Sequence, residues 1–106
     1  MSDILKPENA SKFFNNMLAQ NKVVIVSATY CSYCVKAKSL LIGQGIRFVS
    51  LEIDIIPNGR EVFEATRART GSNSVPQIYI NKNYIGGYDE LLDLYDEKAL
   101  QRMVEN

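Results

Sequence analysis

Val23-Val24-Ile25-Val26 is an unbroken run of branched aliphatic residues. Such a run reads as a strand buried on both faces, the habit of parallel strands covered by helices, and predicts a strand over Val23 to Ala28. Directly after it come Tyr30-Cys31-Ser32-Tyr33-Cys34 and a helix-like stretch from Val35 to Ile42. A strand therefore delivers Cys31 to the mouth of a helix, where backbone N–H groups and the helix dipole stabilise an anion. The thiolate is the reactive form of a cysteine, and Cys34 returns to the same helix face three residues on. That context points to thiol–disulfide chemistry.

Cys31 and Cys34 are the whole cysteine content of the 106 residues, and histidine and tryptophan are absent. This excludes a Cys–His catalytic pair and removes the usual nitrogen ligand for a metal. Two cysteines cannot close a structural zinc site within one chain, because such a site takes four ligands. Lys+Arg and Asp+Glu both total 12, so the net charge is zero and neither nucleic acid nor a membrane is an expected partner. Met1-Ser2-Asp3-Ile4-Leu5-Lys6-Pro7 lacks the features of a signal peptide, and no run approaches a membrane span. A soluble, cytoplasmic protein with a single domain over residues 1–106 is expected. In that reducing compartment a cysteine pair is more often redox-active than structural.

The remaining pattern predicts an α/β fold. Pro7 to Gln20 reads as an amphipathic helix with Ala10, Phe13, Phe14, Met17 and Leu18 on one stripe. Gly43 and Gly45 read as caps after the second helix, and Phe48 to Ile53 as a second strand. Asn58 to Arg69 reads as a helix stopping at Gly71. Gln77 to Ile80 and Tyr84 to Ile85 read as short strands joined by the polar turn Asn81-Lys82-Asn83. Gly86-Gly87 breaks the chain before one or two closing helices within Tyr88 to Met103. The strand–helix–strand unit implies a parallel pair and the hairpin adds an antiparallel strand, giving a four-stranded mixed sheet flanked by helices.

Three motifs, Cys31-Ser32-Tyr33-Cys34, Ser74-Val75-Pro76 and Gly86-Gly87-Tyr88-Asp89-Glu90, occur in an order and spacing that resembles the glutaredoxins, within the thioredoxin-like fold. The resemblance covers essentially the whole chain. It implies a glutathione-dependent thiol–disulfide oxidoreductase acting on glutathionylated or disulfide-containing proteins, with Cys31 as nucleophile. Cys34 is implied as the resolving thiol for protein disulfides, or as dispensable when glutathione is removed from a mixed disulfide. For glutathione it implies a groove lined by Tyr33, a cis Val75–Pro76 step whose Val75 backbone pairs with the cysteinyl amide, and Gly87, Asp89 and Glu90 at the γ-glutamyl end.

Three positions depart from the family pattern. Ser32 stands where proline is commoner, and some glutaredoxins with Cys-Ser-Tyr-Cys hold a two-iron, two-sulfur cluster between two protomers. The alternative reading is therefore a glutathione-ligated [2Fe-2S] carrier or redox sensor of low turnover, with Cys31 as the chain's ligand; the chain is expected to be a monomer, or a cluster-bridged dimer in that case. Ala28 and Asn73 stand where many members place the lysine and arginine that grip the glycine carboxylate of glutathione. Arg67, Arg69 or Lys36 are candidates to substitute, against the plainer reading of each as a solvated helix charge.

Overall fold

The structure, a computed structural model, describes residues 7–106. The leader reading of the N-terminus rests on residues 1–6, which lie outside the described residues. Strand β1 (Val23–Ser27) is buried at every position, as its aliphatic run requires. Its side chains alternate between two cores. Val23 and Ile25 meet Ala37 and Leu41 of α2 (Ser32–Gly43), Leu91 of α4 (Tyr88–Asp96) and Leu100 of α5 (Leu100–Glu105). Val24 and Val26 meet Phe14 and Leu18 of α1 (Pro7–Gln20) and Val62 of α3 (Gly59–Thr70). Full burial of side chains the size of Phe14 or Leu41 contributes ~1.5–3 kcal/mol each.

The other strands are β2 (Val49–Glu52), β3 (Gln77–Ile80) and β4 (Asn83–Gly86), and the sheet order is β2-β1-β3-β4. β1 pairs parallel with β2 and antiparallel with β3, and β3 pairs antiparallel with β4. This is the mixed sheet between helices that the thioredoxin-like resemblance implies. The central β1–β3 pair places the end of β1, and hence Cys31, beside the start of β3, where Val75-Pro76 enters the sheet.

Several boundaries differ from the sequence expectation. The second helix begins at Ser32, because Cys31 itself is the N-cap. Gly43 lies inside that helix, whereas Gly45 (φ 69) is its capping glycine: Gly45 N–H reaches the Ile42 carbonyl and Ile46 N–H the Leu41 carbonyl, both at 3.0 Å. The hairpin turn is the two residues Asn81 (φ 50) and Lys82 (φ 72), and Asn83 belongs to β4 opposite Ile80. Two left-handed residues in succession match the twist of the flanking strands, which a three-residue reading overlooks. The closing segment is two helices, separated where Lys98 takes φ 60.

Candidate functional site

Cys31 leaves β1 through a turn in which its N–H donates to the Ala28 carbonyl (3.1 Å), and it caps α2 in an extended conformation. Its Sγ accepts the Cys34 N–H at 3.1 Å. It is half-buried, 3.7 Å from the Val75 carbonyl, and both cysteines are free thiols. A sulfur in this position faces the unpaired N–H groups of a helix start while staying open to a reactant.

Cys34 lies beneath it, fully buried. Burial pushes its thiol up to about 11 and the hydrogen bond with Cys31 adds to the shift, while the Ser27 hydroxyl and Ala28 backbone oppose it. Ser27 leads on to Glu52, which lies directly opposite it in the parallel β1–β2 register. Glu52 accepts from Ser27 (2.9 Å), from Lys38 (2.9 Å) and from the Ser50 hydroxyl. Burial raises its carboxyl, but the bonds from Ser50, Lys38 and Ser27 together hold it below the usual range.

Two grooves meet at Ser74 and Val75, which line both, and Cys31 lines the second of them. The first, of about 280 Å³, has Tyr33 and Tyr88 on one wall, Val75 and Pro76 as its floor and Gly87, Asp89 and Glu90 at its end. The two rings lie 6.0 Å apart, and Lys36 Nζ sits 5.1 Å from the centre of the Tyr33 ring. The Val75–Pro76 bond is cis. Gly86 takes φ 122, and a Cβ there would lie 2.6 Å from the Glu90 side chain, so the approach to α4 requires glycine. The Glu90 carboxylate accepts the Gly87 N–H at 2.7 Å and thus caps the helix, which leaves the next N–H groups of the first turn facing the groove end. Asp89 is exposed beside them.

The second groove, of about 640 Å³, runs from Cys31 the other way, past Tyr30, Ile53, Phe63 and Asn73. Of the candidate substitute cations, Arg69 is turned toward α1, bonding Asn15 at 2.8 Å and lying over the Phe14 ring at 5.3 Å. Arg67, in the last turn of α3, lines neither groove.

All six residues expected around glutathione therefore line one groove, with Cys31 at its junction with the second. Sequence reading quoted Ser74 and Tyr88 within its motifs without giving them a place in the walls, and it missed Gln77. That buried amide donates to the Ser74 carbonyl at 3.2 Å and accepts from the Tyr79 hydroxyl at 3.1 Å, holding the loop that leads into Val75. It missed the Ser27–Glu52 contact as well, which follows from the parallel register once β1 and β2 are aligned. Among the described residues no group of three or more His, Cys, Asp or Glu could hold a metal, and one chain exposes a single thiol, so a [2Fe-2S] centre with four ligands would need a second protomer and two further thiols. We assign the cluster no step.

Comparison with known proteins adds three findings. A family model described as glutaredoxin matches residues 23–85. Glutaredoxin-C1 and glutaredoxin-C2 of Arabidopsis thaliana are 41% identical over 71 residues and 37% identical over 78 residues, covering 67% and 74% of this chain. The matches span 57% and 70% of those proteins' own lengths. The crystal structure of a buckwheat glutaredoxin–glutathione complex superposes with a TM-score of 0.89 at 28% identity, covering 93% of this chain and 90% of that one.

Proposed function

This chain belongs to the glutaredoxin family, and from that premise we propose that it is a glutathione-dependent thiol–disulfide oxidoreductase. The observation that carries the reading is the position of Cys31 Sγ. It takes the first-turn N–H of Cys34 and lies against the Val75 carbonyl, at the meeting of two open grooves.

In the proposed reaction the Cys31 thiolate attacks the glutathione sulfur of a mixed disulfide. The Cys31–glutathione bond forms as the old S–S bond breaks, and the released thiolate takes a proton from water. A second glutathione thiolate attacks the sulfur bound to Cys31, giving glutathione disulfide and restoring the Cys31 thiolate. With a protein disulfide, the Cys31 thiolate attacks one sulfur, forming a mixed disulfide and releasing the other sulfur as a thiolate; Cys34, its proton passing to that thiolate, then attacks Cys31 Sγ, expelling the partner's second thiolate and leaving Cys31–Cys34 for two glutathiones to reduce. In this reading the Val75 backbone pairs with the cysteinyl residue, the N–H groups at the start of α4 receive the γ-glutamyl carboxylate, and Asp89 pairs with the adjacent ammonium.

The test is glutathione-coupled reduction of a small mixed disulfide by wild type, Cys31→Ser and Cys34→Ser. Activity in wild type and Cys34→Ser with none in Cys31→Ser is expected. Activity surviving in Cys31→Ser refutes the assignment of the nucleophile.

A further inference from the structure

The two grooves treat the two ends of a tripeptide thiol differently. With the cysteinyl sulfur on Cys31, its backbone along Val75 and its γ-glutamyl end at α4, the carboxyl side of the cysteine is directed past Ser74 into the second groove. This placement rests on the glutathione reading above. The lining of that groove holds no cation and no carboxylate: Tyr30, Ile53, Phe63 and Asn73 form its walls, with Ser32, Ser74 and Val75 beside Cys31. Arg69 is held against α1, Lys36 leans over Tyr33 on the other side, and the nearby Asp54 carboxylate is bound to the Thr29 N–H at 3.0 Å and to its hydroxyl. A glycine carboxylate entering here meets only the neutral polar groups of Ser32, Asn73 and Ser74, gains no cation as partner, and loses water where it lies against Tyr30, Ile53 and Phe63.

We propose that the second groove makes this protein indifferent to the glycine carboxylate of glutathione, so that it accepts γ-glutamylcysteinyl disulfides whose group on the carboxyl side of the cysteine is uncharged as readily as those of glutathione itself. Recognition then resides in the γ-glutamyl end, where helix N–H groups and Asp89 lie, and Phe63 and Ile53 receive a neutral substituent.

The probes are the mixed disulfides of cysteamine with glutathione and with its glycine ethyl ester, which differ in one charge. The expected kcat/KM for wild type favours the free acid by less than about fivefold, the upper range of an exposed ion pair, or favours the ester. Asn73 is exposed at the groove edge, so Asn73→Arg supplies the missing cation without disturbing the core; it shifts the ratio toward the free acid by about fivefold, whereas Asn73→Gln leaves it in place. A wild-type preference for the free acid above fivefold overturns the proposal, as does an equal shift in Asn73→Gln. So does a preference that Arg67→Ala abolishes, since that cation would then reach the groove. If wild type turns over neither probe yet reduces insulin with dithiothreitol through Cys31, the glutathione reading itself fails and this proposal with it, an outcome distinct from turnover with the wrong preference.

Discussion

Cys34 is set apart from Cys31 by burial, and the difference has a size. Its thiol is raised from an ordinary 9.0 to about 11, so at pH 7.5 it carries about a hundredfold less thiolate than a solvated cysteine. Its full burial slows access further. The clean perturbation is Cys31→Ser, which leaves Cys34 as the single thiol. Iodoacetamide alkylation of that variant, followed by mass spectrometry from pH 7 to 11.5, is expected to show a midpoint well above 9, below 11 by the part that the Cys31 hydrogen bond contributed. The unfolded variant in urea reacts as an ordinary thiol. The same shift is linked to stability. Because the folded value is raised, the unfolded chain sheds this proton first, and stability falls as pH rises from about 9 to about 11, by at most ~2–3 kcal/mol. Cys34→Ser lacks that component, so its urea midpoint approaches that of wild type across the window. A Cys34 midpoint at or below 9 in the folded Cys31→Ser protein, or a wild-type alkaline loss that Cys34→Ser reproduces in full, refutes the argument that burial governs this thiol.

Gly59→Ala places a Cβ 1.8 Å from the Ile53 carbonyl oxygen, which forces the start of α3 away from the end of β2 and is expected to cost about 3 kcal/mol; an unchanged Tm in calorimetry counts against the close approach. Glu52→Gln removes a carboxylate held low by Ser50, Lys38 and Ser27, against the opposing effect of burial. Wild type is expected to be more stable by ~1–3 kcal/mol at pH 7, with the gap closing as acid protonates Glu52; a gap that persists unchanged at pH 3 in urea titrations excludes its charge as the cause.

Elements with a strong local signature were legible in the sequence. The aliphatic run of β1, the stripe Ala10-Phe14-Leu18 on α1 and the strand–cysteine–helix junction each carry their own pattern, and all three occupy the expected places. The groove walls Tyr33, Val75, Pro76, Gly87, Asp89 and Glu90 were legible only through family resemblance, since nothing local says that residues 33, 75 and 87 meet. Contacts set by register escaped. Ser27 and Glu52 lie 25 positions apart, and Gln77 reads as an ordinary strand residue until Tyr79 and the Ser74 carbonyl are seen around its amide. The lack of a cation along the second groove was half legible: Ala28 and Asn73 stood out by position, while nothing local marked Phe63 of α3 as a wall beside Cys31.

The antiparallel β1–β3 pairing has a consequence for how this molecule becomes competent. Both thiols are made in the first third of the chain, yet the Val75–Pro76 step and the α4 end of the first groove arrive only with residues 74–90. A nascent chain that has emerged as far as β2 thus carries an oxidisable dithiol with no means of choosing its partner. On the proposed function, chemical selectivity depends on β3 being paired along β1, and a fragment ending before Ser74 is expected to behave as a generic dithiol peptide.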